Sequence, residues 1–318
     1  MPVKTLLLAK PRGFCAGVDR AIDVVNLALE LYPGPVYVRR EIVHNVHVVN
    51  ELRAKGAIFV DELEEVPDGA TVIFSAHGVS PAVRAVAKER GLKVIDATCP
   101  LVTKVHNEAM RYAQERRPIV LVGHEGHDEV IGTMGHAPEH IRLIGSVDAA
   151  RAVQIPEADR VAVITQTTLS LDDTSNIIGA LRERFPTIAM PARDDICYAT
   201  QNRQMAVKAL CRLAPVILVI GSRNSSNSNR LAEVARDAGA RAYLIDDISQ
   251  IDPAWLDGVE SLGITAGASA PEYLVEEVVA FFREAGATEI REIQAVSEEV
   301  SFGLPPELVR DRAAREAA

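Results

Sequence analysis

One turn recurs three times in this chain of 318 residues, and few folds can hold all three copies. Asp96-Ala97-Thr98-Cys99-Pro100 shows it most plainly: the apolar run 92–95 reads as a strand, the cysteine follows, and Pro100 opens the amphipathic stretch 101–114. Proline suits the first turn of a helix, so Cys99 is expected at a strand-to-helix turn with the helix N-terminus aimed at its sulfur. The same order appears at residues 5–10, Cys15 and 18–31, and again at Asp194-Asp195-Ile196, Cys197 and 198–213.

Each cysteine also opens a repeating segment. A helix and then a proline that starts an apolar strand follow each of them, with Pro35, Pro118 and Pro215 standing 20, 19 and 18 residues downstream. These strands end in polar loops at 41–45, 123–129 and 221–229, which place His44, His127 and Asn227 at offsets of 29, 28 and 30. A further apolar strand (71–74, 161–164, 262–265) then closes on a second loop of small residues (75–81, 165–170, 266–271). Strands alternating with helices of ten or more residues imply α/β units with parallel sheets, and such sheets bind ligands outside the carboxyl ends of their strands. The expected fold is therefore three similar α/β units, residues 15–98, 99–196 and 197–296 plus 1–14, in a pseudo-threefold trefoil. The strand at 5–9 would complete the third sheet while delivering Cys15. Three cysteines and six polar loops would meet at the centre, and residues 297–318 read as a tail laid over the surface and frayed at its end.

Composition narrows the function classes. A net charge of −10 without a Lys/Arg block argues against nucleic acid and anionic membrane as partners. The longest apolar runs, such as 216–220, are far below the ~20 residues of a membrane span, and residues 1–10 lack the parts of a signal peptide. A cytoplasmic protein with reduced thiols is expected, its cysteines serving metal or redox roles rather than a disulfide framework. Cys211 lies among apolar residues at helical spacing and reads as core packing.

Three thiolates at helix N-termini could hold zinc, a mononuclear iron or an iron–sulfur cluster. The helix ends would lower their pKa values and offset the charge of a thiolate-ligated centre. Spacings of 84 and 98 residues are unlike the short spacings of structural zinc sites. A cubane on three cysteines leaves one iron without a protein ligand, which suggests a cluster that binds substrate. Around it the loops supply His44, His77, His127, Ser225, Ser226, Asn227 and Ser269, donors that suit a phosphate or diphosphate together with N–H groups at helix starts. A single loop histidine is more often structural, but three at matched positions beside three matched cysteines point to the site. Glu129 is the acid of the His127 loop; in a dry anion pocket it could carry a proton, and otherwise it is a helix N-terminal charge. His124-Glu125-Gly126-His127 lacks the four-residue helical spacing of a zinc-peptidase motif.

Longer motifs carry a resemblance over roughly residues 5–303. Pro11-Arg12-Gly13-Phe14-Cys15-Ala16-Gly17-Val18-Asp19-Arg20, Ser75-Ala76-His77-Gly78, Asp96-Ala97-Thr98-Cys99-Pro100, Thr165-Gln166-Thr167-Thr168-Leu169-Ser170, Asp194-Asp195-Ile196-Cys197-Tyr198-Ala199-Thr200, Ser225-Ser226-Asn227-Ser228-Asn229-Arg230 and Ala266-Gly267-Ala268-Ser269-Ala270-Pro271 resemble the 4-hydroxy-3-methylbut-2-enyl diphosphate reductases. That resemblance implies the trefoil and an oxygen-sensitive 4Fe-4S cluster on Cys15, Cys99 and Cys197, which oxygen converts to a 3Fe-4S species. It also implies a substrate diphosphate among His44, His77, His127, Ser225, Ser226, Asn227 and Ser269, with Thr167, Thr168 and Glu129 near the substrate hydroxyl. Two electrons, from a ferredoxin or flavodoxin, and two protons would remove that hydroxyl as water, giving isopentenyl or dimethylallyl diphosphate. Two rivals stand beside it: a hydrolytic zinc enzyme, and a non-catalytic cluster-bearing sensor or carrier.

Overall fold

The structure, a computed structural model, describes residues 3–317. Residues 1, 2 and 318, at the ends of the expected third unit and tail, lie outside the described residues. In chain order the regular elements are β1 (Thr5–Lys10), α1 (Ala16–Leu31), β2 (Val36–Arg39), α2 (Val46–Ala54), β3 (Ala57–Val60), β4 (Thr71–Phe74), α3 (Pro81–Glu89), β5 (Lys93–Asp96), α4 (Pro100–Gln114), β6 (Ile119–Val122), α5 (Asp128–His136) and β7 (Ile141–Ile144). They continue with α6 (Val147–Ala152), β8 (Ala162–Thr165), α7 (Leu171–Arg184), α8 (Tyr198–Cys211), β9 (Val216–Ile220), α9 (Ser226–Asp237), β10 (Arg241–Ile245), β11 (Ser261–Ala266), α10 (Glu272–Glu284), β12 (Glu289–Gln294) and α11 (Pro306–Glu316).

Among the described residues all strand pairs are parallel and fall into three sheets, ordered β3-β2-β4-β5, β7-β6-β8 and β10-β9-β11-β1-β12. One topology is thus written three times, with the second strand of each segment outside the first and the third inside it. The fourth position is β5 in one sheet and β1 in another. In the remaining sheet it shrinks to a single bridge between Ala162 and Ala189.

The chain divides into two compact units, one of residues 3–18, 44–49 and 198–301, the other of 19–43, 50–197 and 302–317. In the first unit the two-residue period of the strands sorts their side chains onto two faces. Leu6, Leu8, Val216, Leu218 and Ile220 meet Leu274, Val278 and Phe282 of α10. Leu7, Ile217 and Val219 meet Val207 and Leu210 of α8 and Leu231 of α9 on the other face. Burial on both faces explains the unbroken apolar sequence of β9. In the second unit, β6 and β8 are covered likewise, by Ile177 and Leu181 of α7 on one side and Val105, Ala109 and Tyr112 of α4 on the other. Among the described residues no helix is long and apolar enough to cross a membrane.

Two expectations need correction. No strand precedes Cys197: residues 191–197 are irregular, because prolines at 186 and 191 and the acidic pair Asp194-Asp195 interrupt any ladder. The Asp195 carboxylate takes the place of a strand there, its Oδ2 accepting from the Thr165 amide at 2.9 Å. Within the described residues the tail carries a helix that was not expected from the sequence. After Pro305, α11 packs on the second unit with Leu308 fully buried and Asp311 accepting from the Tyr32 hydroxyl at 2.7 Å. The short outer strands β3, β7 and β10, and β12 beyond β1, add elements that the apolar runs did not reveal.

Candidate active site

In the first unit, three loop ends close on the start of α9. Ser225 is the N-cap of that helix, its Oγ accepting from the Ser228 amide at 3.3 Å. A Cβ on Gly221 would stand 2.2 Å from Ser228 Oγ, and one on Gly267 2.0 Å from it, so both loops need glycine to approach this closely. Asn227 Oδ1 accepts from the Ala268 amide at 2.8 Å. Ser269 Oγ donates to the His44 carbonyl at 2.9 Å and lies 3.5 Å from Ser225 Oγ. Ser226 is the first residue of α9. His44, Ser225, Ser226, Asn227 and Ser269 therefore gather at a helix N-terminus, whose positive dipole end favours an anion.

The second unit assembles the other polar residues. His127 caps α5, and its Nδ1 accepts from the Glu129 amide at 3.1 Å. An accepting Nδ1 carries no proton, so the neutral ring presents an Nε2–H donor. The His77 ring stands edge-on to it at 5.9 Å, and its Nδ1 lies 3.3 Å from Ser75 Oγ. Glu129 is buried, 2% exposed, and Thr167 clasps it twice: the Thr167 amide donates to Oε1 at 2.6 Å and the Thr167 hydroxyl to Oε2 at 2.8 Å. Next along the loop, Thr168 Oγ1 accepts from the Gln166 side chain at 3.0 Å.

The cysteines share more than sequence grammar. The Cys15 amide donates to Ala268 O at 3.2 Å, the Cys99 amide to Ala76 O at 3.0 Å and the Cys197 amide to Thr167 O at 3.0 Å. Each acceptor belongs to a second loop, after β11, β4 and β8 respectively. Each cysteine directly precedes a helix, α1, α4 or α8, and all three thiols are half-buried and free of disulfides. Cys211 is also unpaired but packs in the core of the five-stranded sheet, its Sγ 3.8 Å from the Ala235 carbonyl, as its apolar context suggests. The expected lowering of the thiol pKa does not hold for Cys15: burial pushes it up, against the pull of Arg203 and of the α1 amides of Val18 and Gly17. Thiols at helix starts, outside any disulfide and with their main chain pinned, are a donor set that suits an iron–sulfur cluster.

Several residues that hold these loops were given no role by the sequence, although Arg20 lies inside a quoted motif. Arg20 on α1 donates through Nη1 to Ala97 O and Thr98 O, both at 3.1 Å. Lys104 on α4 donates to Arg193 O at 2.5 Å, Asp194 O at 3.0 Å and Asp195 Oδ1 at 2.8 Å. Arg203 on α8, wholly buried, donates to Gly13 O at 2.7 Å and Phe14 O at 3.0 Å and pairs with Glu298 at 3.2 Å. Gln166 and Asp195 fall inside quoted motifs but give no sign of their partners. Arg203 lies just beyond one.

A model of the LytB protein family matches residues 6–283. The chain is 56% identical over 313 residues to the 4-hydroxy-3-methylbut-2-enyl diphosphate reductase of Leifsonia xyli subsp. xyli, covering 98% of this chain and 93% of that protein. It is 57% identical over 312 residues to the enzyme of the same name from Bordetella pertussis, covering 98% and 96%. Among solved structures, the E-1-hydroxy-2-methyl-but-2-enyl-4-diphosphate reductase from Plasmodium falciparum is similar, with a TM-score of 0.96 at 37% identity, covering 99% of this chain and 100% of that one. The α/β sheets, the three cysteine turns and these full-length likenesses agree, and the chain belongs to the LytB family, the 4-hydroxy-3-methylbut-2-enyl diphosphate reductases.

Proposed function

We propose that this chain reduces (E)-4-hydroxy-3-methylbut-2-enyl diphosphate to isopentenyl and dimethylallyl diphosphate, the last step of the methylerythritol phosphate route to isoprenoids, and that Cys15, Cys99 and Cys197 hold a 4Fe-4S cluster with one iron lacking a protein ligand. The observation that carries this reading is the shared anchoring of the three cysteine amides on second-loop carbonyls. When bound, the cluster supplies electrons and a Lewis-acidic iron for the departing hydroxyl. The protein does the rest. Ser225, Ser226, Asn227, Ser269 and His44, with His77 and the Nε2–H of His127, take the diphosphate and fix its orientation. Glu129 holds a transferable proton on its carboxyl, and the Thr167 hydroxyl and amide hold that carboxyl in one rotamer. Thr168 completes the hydroxyl end of the site. Electrons come from a ferredoxin or flavodoxin in the cytoplasm, and the repeated order of elements supports three α/β units, 15–98, 99–196 and 197–296 plus 1–14.

The test combines anaerobic reconstitution, iron and sulfide analysis, and turnover of the diphosphate under a strong artificial reductant. Coloured protein that forms both products, and a Glu129→Gln variant slower by ~10²-fold or more with near-parental substrate affinity, are expected. A colourless protein with one zinc would mean the hydrolase instead, and a cluster without turnover would mean a sensor or carrier. Parental turnover in Glu129→Gln would remove the proton-donor role.

A further inference from the structure

Arg20, Lys104 and Arg203 stand five, five and six residues after Cys15, Cys99 and Cys197, each in the first two turns of the helix that its cysteine precedes. None of them holds the loop of its own cysteine. Arg20, on the Cys15 helix, binds the carbonyls of Ala97 and Thr98, the two residues before Cys99. Lys104, on the Cys99 helix, binds Arg193 O, Asp194 O and the Asp195 carboxylate, the run before Cys197. Arg203, on the Cys197 helix, binds Gly13 O and Phe14 O, the two residues before Cys15. The order is cyclic: each cysteine's helix carries the cation that sets the next cysteine's loop.

We infer that these three cations are positioning residues that form a closed ring of constraints on Cys15, Cys99 and Cys197. Main-chain carbonyls turned toward a guanidinium or ammonium group are fixed by charge-assisted bonds, stronger than neutral ones, so the chain leading into each cysteine has one orientation. Arg203 and Lys104 also have acidic partners, Glu298 and Asp195, and the Asp195 side chain is fully buried. Such pairs favour a single geometry, because a slipped loop would leave a charge buried without its partner. The arrangement also brings a positive group to each thiol-bearing turn, where thiolates would otherwise accumulate negative charge. Its consequence is directional: loosening one helix's cation should free the next cysteine and not its own.

The inference rests on the reading of the cysteines as cluster ligands only for its purpose; the ring itself is readable without metal. Amide hydrogen exchange on the full-length protein, with and without iron, follows the Cys15, Cys99 and Cys197 amides, each of which is bonded to a second-loop carbonyl. Arg20→Gln should speed exchange at Cys99 by ~10-fold or more and leave Cys15 and Cys197 within ~2-fold, and Lys104→Met should do the same at Cys197 alone. Arg20→Lys and Lys104→Arg should restore most of the protection. Arg203→Gln should free Cys15, and if it does not fold, the Arg20 and Lys104 variants decide by themselves. Faster exchange at the variant's own cysteine, equal change at all three, or no change would overturn the ring. If the pattern appears in metal-free protein while Cys99→Ser retains parental iron, the ring stands and the ligand reading falls.

Discussion

His127 combines two tasks whose separation can be measured. Its Nδ1 caps α5, while the opposite edge of the ring is the proposed donor to the diphosphate. Asparagine is as good an N-cap as serine or aspartate, so His127→Asn should keep stability within about 0.5 kcal/mol but weaken diphosphate binding, seen as a raised KM. An unchanged KM would show that the imidazole serves only the helix. The cysteines divide in the same way. Serine at 15, 99 or 197 should lose most iron and activity, since its hydroxyl is a poor substitute for a thiolate. Cys211→Ser, in a core with only a weak carbonyl contact, should cost about 1 kcal/mol and keep full iron content. Iron analysis and denaturant titration of the four variants check both statements.

At the scale of elements, α11 is the clearest case where local signals misled. Residues 306–316 are rich in charge, and only one of them, Leu308, is fully buried. One apolar anchor gives no helical stripe to read, yet Leu308 and polar contacts such as those from Tyr32 and Lys93 to Asp311 dock the helix. Leu308→Ala should cost about 2–4 kcal/mol in a denaturant titration, and a value near zero would mean that α11 is only loosely held. The segment before Cys197 is the opposite case. Its motif equivalence to the other cysteine turns is sound, but the strand expected there is absent, because a buried carboxylate can occupy a strand's place by accepting the neighbour's amide.

At the scale of the whole molecule, acid should destabilise the fold before its carboxylates titrate. His106 of α4 and His136 of α5 stack at 4.1 Å, with Arg84 of α3, Asp96 of β5 and Gly78 around them. Burial, then the neighbouring His136 and Arg84, push His106 down to about 3, against the pull of Asp96, and burial also pushes His136 down. The folded state thus stays neutral where the unfolded chain takes up protons. Stability is full above pH 6.5 and falls as pH drops from there toward 3, by about 2 kcal/mol between pH 7 and 5 from His106 alone. Asp96 works in a lower window: burial would raise its carboxyl, but Thr98 and Arg84 hold it below the ordinary range. Urea titrations at pH 7, 6 and 5 should show this loss in the parent and a flatter profile in His106→Gln; equal profiles would refute the buried neutral pair.

Much of this protein was legible in its residues. Apolar runs bounded by proline and glycine mark strands buried on both faces, since such runs have no other place in water. Near-equal offsets from Cys15, Cys99 and Cys197 reveal the repeated topology, and the loops at strand ends mark the candidate site. These are short-range properties, and short-range physics writes them into adjacent residues. Tertiary structure alone decided which partner each polar group found. Glu129 and Thr167 are 38 residues apart, Arg203 and Gly13 190 apart, and neither pair leaves a pattern in the chain. A hydrogen bond depends on where two backbones meet in space, so the clasp on Glu129 and the cations around the cysteines became visible only once the sheets had brought their loops together.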